Sequence, residues 1–295
     1  MTILQAIVLG LVQGLTEFIP ISSTAHLIFA ARLTNLYAGV EQSLRAEQTT
    51  ATIAVVQLGT LIAVLVYFAR DIANITAAFI RDHLTLLRAK ARGERAAARL
   101  SPDALLGWYI FLGTLPIGVV GLSFKKQIEG TLTKNLWIIA TMLIVIALLL
   151  GVAERTGSRR RTMRELCWRD ALIVGCAQVL ALIPGASRSG STIMGGLFAG
   201  LTRETAARFS FLLSIPAILA SGLLELHEAI AKLPAHSFLP LSVATTVAGI
   251  VGYASIWFLL RYLRTHSTGI FIGYRLAIGI LLLVLLAKGT IQPLY

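Results

Sequence analysis

Two polar stretches interrupt the apolar runs of this chain, and they carry the side chains that could do chemistry. The first runs from Gln13 to His26 and holds Glu17, Pro20, Ser22, Ser23, Thr24 and His26. The second runs from Gln178 to Thr192, with Pro184-Gly185-Ala186-Ser187-Arg188-Ser189-Gly190-Ser191-Thr192 at its centre. Gln13 and Glu17 are four residues apart, so a helix puts them on one face. Ser23 and His26, three apart beyond Pro20, can share a face in the same way. In the second stretch Gly185 and Gly190 bracket a loop expected to feed a short helix from about Ser191. Free N–H groups and the positive helix end would cradle an anion there. Arg188 adds a planar fork of donors matched to phosphate oxygens. An acid, a histidine, a serine, an arginine and an amide nest together point to phosphoryl transfer from a phosphate or diphosphate.

Each member also has a plainer reading. Glu17 or His26 alone could be a polar residue satisfied between helices, and Ser22, Ser23 and Thr24 could cap a broken helix. Arg188 could reach for a membrane interface, although its glycine-rich flanks argue against that. Gly185-x4-Gly190-Ser191-Thr192 has glycine spacing like a P-loop, but the lysine is missing and no strand precedes it, so no nucleotide is expected. Gln57, Arg70 and Asp71 read as packing or boundary residues. The whole set in two short stretches is what calls for a ligand. Charge at the centre of a bilayer costs ~2.5–3.5 kcal/mol on insertion scales, so such groups face a partner, a cavity or a ligand.

The elements that must hold these residues are membrane helices. Of the 295 residues 56% are apolar and only 14% charged, against roughly 25% charged in soluble proteins. An all-α polytopic membrane protein is expected, one integral domain spanning residues 1–295. Six segments read as full spans: Ala51–Ala69, Ala104–Phe124, Leu136–Ala153, Ala207–Ile230, Leu239–Leu260 and Gly269–Ala287. Thr2–Leu33 and Ala171–Leu201 are apolar but broken by Pro, Gly and Ser, and are expected to be re-entrant helical hairpins. The first does not read as a cleaved signal, because no basic region precedes Ile3 and Gln5, Gln13 and Glu17 interrupt it. Cys167 and Cys176 are too few for a disulfide framework and read as free thiols.

Charge orients the spans. The formal charge of +12 falls mostly in two loops, one with Arg81, Arg88, Lys90, Arg92, Arg95 and Arg99, the other with Arg155, Arg159, Arg160, Arg161, Arg164 and Arg169. Two spans separate them, so both are expected on the cytoplasmic face, a pattern that speaks for topology rather than nucleic acid. Arg203, Arg208, Arg261 and Arg264 join that face only if the second broken region returns to the side it left, which places Leu226–Phe238, with Glu228 and Lys232, outside. A weak repeat agrees: Gly10-x-x-Gln13 before Pro20 and Ser22 is echoed by Gly175-x-x-Gln178 before Pro184 and Ser187. Three spans follow each copy, so the copies, about 1–154 and 170–290, are expected to be inverted, with the hairpins meeting from opposite faces.

The stretch Gln13-Gly-Leu-Thr-Glu17-Phe-Ile-Pro-Ile-Ser-Ser-Thr-Ala-His26 resembles the (Glu/Gln)-x-x-x-Glu and Ser-Ser-x-x-His motifs of the undecaprenyl-diphosphate phosphatase family, the bacitracin-resistance type. Pro184 to Thr192 resembles its Pro-Gly-x-Ser-Arg-Ser-x-x-Thr motif; Val56–Thr60, Phe209–Pro216 and Tyr274-Arg275 are supporting matches. Gln13 stands where many members carry a second Glu, and Ile53 where some carry an acid. The resemblance implies hydrolysis of undecaprenyl diphosphate to the monophosphate, recycling the carrier lipid for cell-wall polymers. It implies a multi-pass protein of the bacterial inner membrane that needs a divalent cation, Mg²⁺ or alternatively Ca²⁺, held by the diphosphate and Glu17. Ser23 is the candidate nucleophile with Glu17 and His26 beside it; the competing assignment makes His26 nucleophile or general acid. Arg188, Ser187, Ser189, Thr192 and the Gly185 loop would bind the diphosphate together with Gln13, Ser22 and Thr24, with the site facing the periplasm or exterior. A transporter or flippase of a phosphorylated polyprenyl lipid is the alternative, and a protein that sequesters lipid diphosphate a third.

Overall fold

Thr2 opens the first helix: its hydroxyl accepts the Gln5 N–H while the Gln5 side chain returns to the Thr2 N–H. That helix, α1 (Ile3–Thr16), is followed in a computed structural model by α2 (Ser23–Leu33), α3 (Gln42–Tyr67), α4 (Ala69–Ala91), α5 (Pro102–Ser123), α6 (Leu136–Thr156), α7 (Trp168–Val179), α8 (Arg188–Phe198), α9 (Arg203–Lys232), α10 (Phe238–Leu263) and α11 (Gly269–Ala287). The structure describes residues 1–37, 39, 41–92, 99–124, 135–232 and 237–293, without the side chains of 42–43, 46, 221 and 223–232. Arg95, Glu228 and Lys232, named above as topology signals, are thus outside the described side chains. Among the described residues there is no strand, only a single bridge between Arg161 and Leu201.

Among the described residues five helical stretches are long and apolar enough to cross a membrane: Glu47–Tyr67, Pro102–Ser123, Leu136–Thr156, Phe238–Leu263 and Gly269–Ala287. They match five of the expected spans to within a few residues, and the sixth, Ala207–Ile230, lies inside α9. The chain is a multi-pass membrane protein. Exposed apolar side chains such as Val119, Leu122, Ile250 and Ile280 line the outer surfaces of these helices, where lipid rather than water would cover them. Helix α4 was not anticipated, because its mixed apolar and basic sequence contains no span-length apolar run. It packs beside α5, and hydrogen bonds from the Ser101 side chain and N–H hold the Asp82 carboxyl down at about 2, so this link stays charged at neutral pH.

The four arms of the broken regions have 14, 11, 12 and 11 residues, each short of the ~20 a crossing needs. Within each region the arms pack on one another, α1 on α2 and α7 on α8. Across the molecule α1 lies on α10 and α7 on α5, while α3 packs on α9 and α6 on α11. Small residues bring these backbones close. A Cβ on Gly175 of α7 would stand 2.3 Å from the Gly113 carbonyl of α5.

Hydrogen bonds fix which chain ends lie together. Glu154, closing α6, accepts from Arg159 at 2.9 Å, from Arg203 at the start of α9, and from the Thr268 hydroxyl at 2.8 Å. Arg161 makes two 2.7 Å bonds to Asp170, and Arg264 pairs with Glu204. At the opposite end Leu136 N–H donates to Pro293 O (2.8 Å) and Arg32 reaches Gln292 O (3.4 Å). Both cysteines are free, Cys176 exposed and Cys167 partly covered.

Candidate active site

The first polar stretch forms because α1 runs on in helical geometry to Glu17, then breaks at Phe18–Ile21 before α2 resumes at Ser23. Gln13 and Glu17 therefore meet, with Gln13 Nε2 donating to Glu17 Oε2 at 3.0 Å and to Thr60 Oγ1 of α3 at 3.2 Å. Ser23, the first residue of α2, donates its hydroxyl to the same Glu17 Oε2 at 2.7 Å. The other carboxylate oxygen, Oε1, accepts from Arg188 Nη2, 171 residues away in sequence. Both stretches thus converge on one buried carboxylate.

The second arms begin in the same unusual way. Ser22 before α2 has φ +77° and Ser187 before α8 has φ +69°, in the left-handed region that residues with a Cβ enter at a cost. The α8 helix starts at Arg188, three residues earlier than the expected Ser191, because the Ser187 hydroxyl accepts the Gly190 N–H at 3.2 Å and caps it there. Gly185 has φ +90°, and a Cβ on it would meet the Ile139 carbonyl of α6 at 2.4 Å, so only glycine fits this turn. Ser189 donates to Ile19 O at 3.3 Å and lies 3.2 Å from the Ser187 hydroxyl, which ties the two breaks together.

Other expected residues are placed differently. His26 Nδ1 donates to Ser22 O and its Nε2 meets Tyr274 OH, both at 2.7 Å, so its ring nitrogens are engaged there rather than on Ser23 or Glu17. The ring also stacks on Tyr274. Thr192 is fully buried and turns its hydroxyl to Arg188 O at 2.7 Å and to Ser210 of α9. Thr24 is exposed and has no side-chain hydrogen bond among the described residues. Gln178, the counterpart of Gln13 in the second stretch, is fully buried with neither amide atom partnered among the described residues.

Residues without an assigned role complete the arrangement. Arg275 of α11, fully buried, donates to Pro20 O in the first break and to Gly185 O and Ala186 O in the second. Its signal was present in sequence as a charge inside an apolar span. A small recess opens beside Glu17 and Arg188, walled by Phe18, Phe211, Ser210, Ser214 and Ile218.

Among the described residues no three His, Cys, Asp or Glu side chains come together. Glu17 is the carboxylate of the cluster, and its donor neighbours already engage both oxygens. A donor set of one carboxylate and nearby hydroxyls fits a hard cation that brings most of its ligands with it, such as Mg²⁺ on a diphosphate.

A family model described as bacitracin resistance protein BacA matches residues 6–281. The chain belongs to the BacA family. Among BacA-type relatives, an undecaprenyl-diphosphatase of Syntrophobacter fumaroxidans is 50% identical over 279 residues, 95% of each chain. Proteins of the same description from Chlorobaculum tepidum and Myxococcus xanthus are each 47% identical; they cover 99% and 100% of this chain and 100% and 92% of their own length. The matched region contains both breaks and Arg275, so the cluster around Glu17 lies within the part shared with the BacA family.

Proposed function

We propose that this protein hydrolyses undecaprenyl diphosphate to undecaprenyl phosphate and inorganic phosphate, in a bacterial plasma membrane, returning the carrier lipid to cell-wall synthesis. The observation that carries the reading is the Ser23 hydroxyl on Glu17 with Arg188 on the same carboxylate. A hydroxyl hydrogen-bonded to a buried base is an activated nucleophile, and a guanidinium at that point is a phosphate clamp. Arg188 leaves Glu17 for the oxygens of the incoming diphosphate, which frees the carboxylate to take the Ser23 proton. Ser23 Oγ then attacks the terminal phosphorus. The new bond is Oγ–P, and the bond broken joins that phosphorus to the oxygen of undecaprenyl phosphate, which leaves as an anion. Glu17 passes its proton to the departing undecaprenyl phosphate oxygen and, ionised again, deprotonates a water that attacks the same phosphorus; the Oγ–P bond breaks, inorganic phosphate leaves and Ser23 Oγ takes the proton back from Glu17. In this reading His26, whose ring nitrogens meet Ser22 O and Tyr274, does not attack phosphorus and steadies the start of α2 beside Ser23.

A divalent cation, Mg²⁺ or Ca²⁺, would be held by Glu17 together with the diphosphate, and when bound it neutralises phosphoryl charge. Gln13, Ser22, Ser187, Ser189 and the Gly185 loop surround the head group. Thr192 supports α8 through Arg188 O, a role different from direct binding. In this reading the head group lies against Glu17 and Arg188 at the mouth of the small recess, and the isoprenoid tail stays in lipid between helices.

The architecture we propose is an inverted repeat, copy one about 1–154 and copy two about 170–290, in a single integral domain with two re-entrant hairpins. Exchanging the copies turns the α1–α10 packing into α7–α5 and leaves α3–α9 and α6–α11 as they are, which supports it. So does Glu154, which holds Arg159, Arg203 and Thr268 at one end; a hairpin that crossed would separate Arg159 from Arg203. The basic end is then cytoplasmic and the first hairpin opens to the exterior.

That same symmetry favours a second reading, transport of a phosphorylated polyprenyl lipid without cleavage. The test is phosphate release from undecaprenyl diphosphate by purified protein in detergent, with and without Mg²⁺, alongside Ser23→Ala and Arg188→Ala. Expected are metal-dependent release by the parent protein, loss of more than about a hundredfold in both variants, and retained lipid binding by Ser23→Ala. Binding with no release under any metal would give the site to transport or sequestration.

A further inference from the structure

We infer that Arg275 is a positioning residue: one guanidinium, gripping the main chain of both breaks, holds the Glu17–Ser23 and Arg188 halves of the site in register. This rests on the hydrolase reading above. Arg275 is 0% exposed in the middle of an apolar span, a costly place for a charge unless its donors are used. All five of its hydrogen bonds go to main-chain carbonyls. Nε and Nη2 reach Leu143 O and Met142 O of α6 at 3.2 Å, which seats the group on a straight helix. Nη1 takes Pro20 O at 3.2 Å, and Nη2 takes Gly185 O and Ala186 O at 3.0 Å each.

Those last carbonyls are the informative ones. Pro20 lies two residues before Ser22, and Ala186 immediately before Ser187, the two serines held at positive φ. A non-glycine residue stays in that region only where its surroundings over-determine it. The C=O and N–H of a peptide unit point in opposite directions, so drawing Ala186 O toward Arg275 turns the Ser187 N–H away from it. The same grip on Pro20 O sets the turn that delivers Ser23 to Glu17. The Glu17–Arg188 and Ser189–Ile19 contacts both join the pieces that Arg275 holds. Because none of its bonds goes to a carboxylate, Arg275 also leaves its positive charge behind a site that receives a polyanion. Lysine can keep that charge, but a point ammonium cannot span α6 and both turns as a planar fork does. Substitution by lysine therefore separates bracing from charge.

The experiment measures kcat and KM for phosphate release, and the unfolding midpoint in detergent, on the parent protein, Arg275→Lys, Ser22→Gly and the double variant. A misplacement of about 1 Å costs on the order of a hundredfold, so Arg275→Lys is expected to lose about that in kcat with KM within about threefold. Glycine adopts positive φ without help, so the double variant should keep several-fold more kcat than the product of the two single effects, while Ser22→Gly alone, which removes a hydroxyl assigned to the head group, falls below the parent. Parent-like kcat in folded Arg275→Lys would overturn the inference, as would a loss that tracks unfolding with the double variant no better than that product. A parent protein that releases no phosphate would instead fell the hydrolase reading, one step earlier.

Discussion

Glu17 faces three donors, Gln13, Ser23 and Arg188, and the chemistry assigned to this site depends on its being charged. Replacing it with glutamine keeps the shape and removes the base. An amide oxygen accepts the Ser23 proton poorly, and Arg188 is left beside a neutral group, where a diphosphate can still attract it. Glu17→Gln is therefore expected to cut kcat by about 10²–10⁴ while lipid diphosphate binding is kept or tightened. Binding that falls together with kcat would mean that Glu17 chiefly shapes the cradle. Some of this was readable from sequence. The Gln13–Glu17 contact follows from a four-residue spacing, and the Ser187–Arg188–Ser189 run from its chemistry. The pairing of Arg188 with Glu17 was not, since nothing local joins residues 171 apart. Nor was the His26 to Tyr274 bond, which depends on how α11 packs against α2, or the inward turn of Thr192 toward Ser210.

The helices are held close by absent side chains. Gly14 of α1 faces α10, where a Cβ would come within 2.7 Å of the Val251 Cβ and 2.9 Å of the Ala248 carbonyl. Neither is the loose end of a flexible chain, so a methyl group there must push two helices apart. Gly118 of α5 meets nothing within 4 Å and gives the opposite case on the same kind of element. Gly14→Ala is expected to destabilise by about 1–3 kcal/mol through overpacking, and Gly118→Ala to be neutral or stabilising by up to about 1 kcal/mol through helix propensity. Thermal unfolding in detergent checks both. Equal effects would mean that α1 can slide on α10 without loss. At this scale hydropathy served well for spans, because length and apolarity are what a bilayer demands. It missed α4, whose amphipathic pattern has no such run, and set the start of α8 three residues late, because a serine at positive φ leaves no mark in composition.

The two ends of the molecule carry different chemistry, and the orientation proposed for it in a bilayer rests on that difference. One end gathers Arg159, Arg161, Arg203 and Arg264 with Glu154, Asp170 and Glu204; the other joins Arg32 and Leu136 to the residues after α11. Charge counting in the loops anticipated this sorting. The bonds across Glu154 and the bridge between Arg161 and Leu201, with Thr202 N–H on Arg161 O, put residues on either side of the second broken region at one end. The consequence is testable on positions that both readings place. With Cys167 and Cys176 replaced by serine, a single cysteine at Thr265, exposed between α10 and α11, should react with an impermeant thiol reagent only after cells are opened. One at Gly39, exposed between α2 and α3, should react in intact cells. If α7 and α8 instead made a single crossing, Thr265 would move to the side of Gly39 and both would label from outside. The head group would then reach Glu17 from the same side as the residue-265 turn, and the inverted repeat would be lost with it.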